Sequence, residues 1–205
     1  MGELFKTFEN IAKNSHSAKE WIAAEAEISK KTQPFISKEE RLAMLKERYG
    51  SGQARWNSKL RIVATSIEDI ERQVFDENSN VDILVALQAS GALQGVWPSV
   101  EINGKHFFDG GSFSMENPDV FVDADKMLVL STGLPVDVPY KLEDLLAQLE
   151  KKGTETSLVL PSEKTMNILK DFNYNTVEAK IRPFVAQAGR EQGQAEAALI
   201  KERWL

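Results

Sequence analysis

The chain of 205 residues contains no cysteine, so it can form neither disulfide staples nor a cysteine-ligated metal site. Histidine is almost as scarce. His16 and His106 stand far apart with no carboxylate pattern beside them, and neither a metal site nor a cofactor is expected. No stretch approaches the roughly 18 apolar residues of a membrane span, and the opening MGELFKTFENIAKN has no unbroken apolar core of signal-peptide length. A basic excess is missing too: 25 Lys and Arg face 31 Asp and Glu, for a formal charge of −6. That balance disfavours nonspecific binding to nucleic acid and to anionic membrane surfaces. Together these absences lead us to expect a cytoplasmic protein with no nucleic-acid partner and no transmembrane segment. Internal repeats, low-complexity tracts and clear linkers are absent as well.

What is present is enough for a folded domain, since 42% of the residues are hydrophobic and the length suits one domain of ordinary size. The first third reads as helix. Leu4, Phe5, Phe8, Ile11 and Ala12 recur at helical spacing, and Trp21, Ile22, Ala26 and Ile28 form a second run. Ser37 and Glu40 make a capping box ahead of Leu42, Met44 and Leu45, and Gly50 stops that helix with Gly52 close behind. From Leu60 the pattern changes to strands, LRIVAT and then Gln73 to Phe75, joined by a charged turn around Glu68 and Asp69. The turn cluster DENSN leads into VDILVALQAS, a helix apolar nearly all round, with Asp82 in its first turn. Asn103 and Gly104 predict a two-residue hairpin between VEI and KHFF. Met127 to Leu130 and Leu158 to Leu160 suit strands buried on both faces, and a helix over Leu142 to Leu149 lies between them. That strand, helix, strand order argues for a parallel α/β sheet. The tail places Val177, Ile181, Phe184, Val185 and Ala188 on one helical face, with a kink expected at Pro183.

The chemistry concentrates between Ala89 and Gly111, in ASGALQGVWPSVEINGKHFFDGG. The hairpin fixes where Asp109 emerges, and Gly110 with Gly111 can take backbone angles that a Cβ would resist. Asp109 then reads either as a general base or as an Asx-type residue that orders the glycine loop. His106 reads as a surface strand residue, and Trp97 as core, held extended by Pro98. Ser112 and Ser114 are close enough to Asp109 in sequence to offer a hydroxyl, but residues so near on one loop make local turns.

The series resembles the second half of the patatin-like phospholipase domain, a family of serine acyl hydrolases that use a Ser and Asp pair. Ala89, Ser90, Ala92 and Gly95 match the small-residue turn of that family; Val96, Trp97, Pro98 and Val100 match the next segment. Asp109, Gly110 and Gly111 match its DGG motif, and Asn117 with DKMLVLS matches the asparagine and strand that follow. The resemblance runs over roughly residues 60 to 205, with Gln94 and Ser99 standing where the family has prolines. It implies an α/β fold: a parallel or mixed sheet flanked by helices, with a helical covering region over 1–56 and a sheet-forming part over 57–205 of a single truncated domain.

The serine half of the pair has no counterpart here. The family's nucleophile sits in a G-x-S-x-G turn, and Ser51, Ser90 and Ser112 all lack that context: Tyr49 and Gln88 precede the first two at the glycine position, and Ser114 follows the third. Gly110 and Gly111 are the only adjacent glycines, so the family's glycine-rich oxyanion loop is missing too. The resemblance therefore implies one catalytic residue, Asp109, supported by Gly110 and Gly111, with Ser90, Gly91 and Trp97 as pocket neighbours. A lipid or small ester would be the substrate once a separately encoded amino-terminal half, or an upstream segment, supplied the serine. The alternative is a noncatalytic binding or interaction protein, or a gene remnant, that keeps part of the fold. Strand edges left open near LRIVAT or MLVLS would favour homodimers or aggregation.

Overall fold

A computed structural model describes residues 2–50, 53–133, 138–139, 141–176 and 178–204; Gly52 and Val177 lie outside them. The chain is mixed α/β, and its contacts divide it into two units. One comprises Ile11–Val120 with Asp137–Leu142; the other comprises Met1–Asn10, Phe121–Val136 and Glu143–Leu205.

The chain opens with helix α1 (Gly2–Asn14). In the Ile11–Val120 unit, α2 (Ala18–Lys31) is capped by Ser17, whose hydroxyl accepts the Glu20 N–H. Helix α3 (Lys38–Tyr49) starts at the expected capping box, Ser37 and Glu40 exchanging side-chain and backbone bonds, and ends at Gly50 with φ of 76°. Strands β1 (Ile62–Ser66) and β2 (Glu71–Phe75) form the first hairpin. Helix α4 (Ile83–Ser90) follows, with Asp82 just outside it as N-cap, its carboxylate accepting from Leu84 and Val85 N–H. Strands β3 (Val100–Ile102) and β4 (Lys105–Asp109) make the second hairpin. Both turn residues there, Asn103 at 51° and Gly104 at 78°, have positive φ, which matches the twist of the flanking strands.

The four strands lie in the order β2-β1-β4-β3, and every pairing is antiparallel. β1 is therefore paired on both sides, and the LRIVAT edge is closed. Helix α4 shares a core with one sheet face, where Ile62, Ala64, Phe75, Val100, Ile102 and Phe107 meet Ile83, Leu84, Ala86 and Ala89. Side chains alternate across a strand, so Asp109 falls on the same face as Phe107, opposite Ala64 in the register. Phe108 points the other way and is fully buried.

In the other unit, β5 (Lys126–Leu130) and β6 (Glu155–Val159) pair in parallel, with α5 (Leu142–Lys151) between them in sequence. The parallel pair thus stands as a sheet of its own, because the main sheet is built from hairpins, which force antiparallel neighbours. The two strands are not buried on both faces. Val129 and Ser157 are their buried residues, while Leu130 is 69% exposed and Leu160, just past β6, is 50% exposed. Helices α6 (Glu163–Asp171) and α7 (Arg182–Trp204) complete the unit. Pro183 occupies the first turn of α7, where its missing N–H has no helical partner to lose, so it starts the helix instead of kinking it. Gln192 of α7 donates to Leu160 O at 2.6 Å and accepts the Ser162 N–H at 2.9 Å. Ile181 and Ala188 are buried, but Phe184 is exposed against the ring of Phe172.

Candidate functional site

Asp109 ends β4 with its backbone held on two sides. Its N–H donates to Ala92 O at 3.2 Å, and its carbonyl accepts from the Thr65 hydroxyl at 2.9 Å. The carboxylate turns back to accept the Gly111 N–H at 2.8 Å and so caps the short 3-10 turn Gly110–Ser112. The general-base and Asx-turn readings are thus compatible at this residue, since one oxygen orders the turn. Burial raises the Asp109 carboxyl to about 6, with the Gly111 N–H and the positive charge of Arg41 acting against it.

Gly110 is required by space. A Cβ there would lie 2.2 Å from Val63 O, so the turn can approach β1 only without a side chain. Asn117, in a positive-φ conformation, holds the far side of the turn by donating to Gly110 O at 3.0 Å and to Ser114 O. Arg72 grips the end of the loop through both oxygens of Asp119, at 2.6 and 2.8 Å, and lies 4.5 Å over the Phe113 ring.

Two helices bring residues to Asp109 that motif reasoning did not find. Arg41 of α3 donates to Gln88 O and Gly91 O, both at 2.9 Å, placing a cation on the open carbonyls at the end of α4. The same guanidinium stacks 4.7 Å above Trp97, whose other neighbour is Phe35 at 4.6 Å. Burial lowers Arg41 to about 10 and the Asp109 charge pulls it back up. Arg41 thus contacts Gly91 and Trp97 and bears on Asp109 through its charge, while Ser90 ends α4 half-buried next to Gly91. Trp97 packs against the core as expected.

Helix α2 contributes Glu25, which is 4% exposed. Burial pushes its carboxyl up to about 8; the Ser112 side chain lowers it, the Asp109 charge raises it, and the Gln94 amide lowers it. Trp21, one turn earlier, donates its indole N–H to Ser112 O at 3.0 Å. The Ser112 hydroxyl accepts from Gln94 at 2.5 Å, and the Ser114 hydroxyl accepts the Asn117 N–H at 3.2 Å. Ser114 is thus engaged in a local turn as expected of one loop, whereas Ser112 is bonded by Gln94 and Trp21 from distant segments. The histidines stay outside it: His106 is exposed and paired with Glu68 at 2.9 Å, and His16 lies in the break between α1 and α2.

The signal for Glu25 and Arg41 is present in the sequence. Glu25 lies four residues after Trp21, on the face that buries Ile22 and Ala26, and Arg41 is the buried residue of a polar helix. A charge inside an apolar stripe must find a partner, but the stripe does not say which one.

The assembly can hold a proton on the buried Glu25 carboxyl near a part-buried Asp109 and can stabilise charge on Asp109 through Arg41. Among the described residues no group of three or more metal-ligating side chains is present, and no helix is long and apolar enough to cross a membrane. The chain matches no family model and no curated protein sequence.

Proposed function

We propose that this chain is the Asp-bearing portion of a patatin-like acyl hydrolase, with Asp109 as the base for a serine hydroxyl supplied by another polypeptide or by an upstream segment. The observation that carries the reading is the setting of Asp109: a carboxyl raised toward neutrality, at a strand end, beside a glycine that no other residue can replace without displacing β1. A base with a pKa near the working pH is effective at taking a hydroxyl proton. The serine would attack a carboxylic ester as Asp109 takes its proton, forming an acyl-enzyme and releasing the alcohol. Water would then cleave the acyl-enzyme. Lipid or small-ester substrates follow from the resemblance of the ASGAL to DGG series.

Ester hydrolysis and labelling by a serine-reactive fluorophosphonate test this, first with the chain alone and then mixed with a polypeptide that carries a G-x-S-x-G turn and a glycine-rich loop. The expected result is activity in the mixture only, lost in Asp109→Asn. Silence in both, with the chain well folded, overturns it.

The second reading, a noncatalytic binding protein, is favoured by the closure of the four-stranded sheet around β1. A unit whose central strand is already paired on both sides needs no missing strand there to fold.

A further inference from the structure

Helix α2 lies against the turn that follows Asp109 through an interface of mixed quality. Trp21, Ile22 and Ala26 are buried there, and the Trp21 indole is satisfied by Ser112 O. The polar positions on the same face are only partly satisfied, although Ser112 and Gln94 hydrogen-bond Glu25. Glu25 Oε2, Ser29 Oγ and, across from them, Gln94 Oε1 are buried without hydrogen-bond partners. Each such atom forgoes the bonds that it would make in water. The helix is flanked by loops on both sides, at Ser15–Ser17 and at Thr32–Ser37, and the later loop is tied by the Gly95 N–H to Thr32 Oγ1 at 2.8 Å.

We infer that α2 is a displaceable cover over Asp109: its apolar anchors seat it, its unsatisfied polar atoms weaken the seat, and ionisation of Glu25 beside Asp109 releases it. Segments that open locally are those whose packing is least complete. The charged groups that bear on the event are few. Glu25 faces Asp109 from β4 and the neutral groups of Ser112 and Gln94; Asp109 in turn faces Arg41 from α3. Once α2 is out, Glu25 is in water and returns to an ordinary carboxylate, so opening becomes easier as pH rises toward the value of the docked residue. The opening itself is independent of any enzyme activity. That it exposes Asp109 to an incoming serine rests on the hydrolase reading above.

Amide hydrogen exchange on the full chain tests it, with rates corrected for intrinsic pH dependence. Between about pH 6 and about pH 8, protection of the α2 amides should fall about tenfold per pH unit and should stay well below that of the β1 and β4 amides at every pH. In Glu25→Gln and Glu25→Leu the α2 protection should become flat over that range. Protection of wild-type α2 that is independent of pH overturns the inference, and so does α2 protection equal in size to that of β1 and β4, which would mark global unfolding. The wild-type series decides even if a variant fails to fold. Because it is read on the chain alone, its failure is distinct from failure of the hydrolysis test.

Discussion

At Gly110 the molecule leaves no room for any side chain. A Cβ 2.2 Å from Val63 O must push the turn away from β1, so Gly110→Ala should destabilise the chain by about 1–3 kcal/mol, read as a lower urea midpoint. Gly111→Ala is a different perturbation, since its Cβ would meet Asp109 Oδ1 at 3.0 Å. It should cost less stability and instead move the carboxylate off the Gly111 N–H. The two carboxyls also set a pH dependence with a definite sign. Asp109 rises from an ordinary 3.8 to about 6 and Glu25 from 4.5 to about 8. The folded chain therefore holds protons that the unfolded chain has released. Their contribution to stability is complete below the ordinary values and is lost as pH rises through about 6 and then about 8. Urea midpoints should fall over this window, Asp109→Asn removing the lower part and Glu25→Gln the upper; midpoints that rise instead would refute the assignment. Asp69 and Asp76, lowered by their hydrogen bonds, act with the opposite sign at more acid pH.

Among the elements, the β3–β4 hairpin aims Asp109, and its turn depends on two positive-φ residues. Gly104 has open space around it, so Gly104→Ala tests backbone conformation alone. It should cost about 1–2 kcal/mol without touching the core, again measured by urea unfolding. Helix α4 depends on Asp82, whose carboxylate takes two N–H groups; Asp82→Ala should cost about 1 kcal/mol. These elements were legible because their causes are local: a turn pair, a cap, an apolar period. Pro183 shows the limit of such reading. A proline inside an apolar period predicts a kink, but the helix begins at Arg182, and the position of a proline within the helix decides between a kink and a start.

For the whole molecule, strand pairing decides association. The four-stranded sheet closes the LRIVAT edge, whereas β5 and β6 pair only with each other among the described residues. Two strands with no further strand partner, with Leu130 at 69% and Leu160, just past β6, at 50% exposure, are an invitation to edge pairing. Sedimentation over a concentration series should show self-association, and Leu130→Lys should shift it toward monomer. A wild-type chain monomeric at every concentration would refute this.

The sequence by itself determined most of the helices and strands, the Asn103–Gly104 turn, the capping box at Ser37 and the emergence of Asp109 onto two glycines, because each follows from neighbours within a few residues. The tertiary structure decided the rest. It separated the parallel pair from the hairpin sheet, gave that pair no further strand among the described residues, and set Glu25 and Arg41 near Asp109. Those outcomes depend on which distant surfaces bury one another and on where a charge trapped in an apolar face finds its partner. Periodicity announces that such a partner is needed; packing alone selects it.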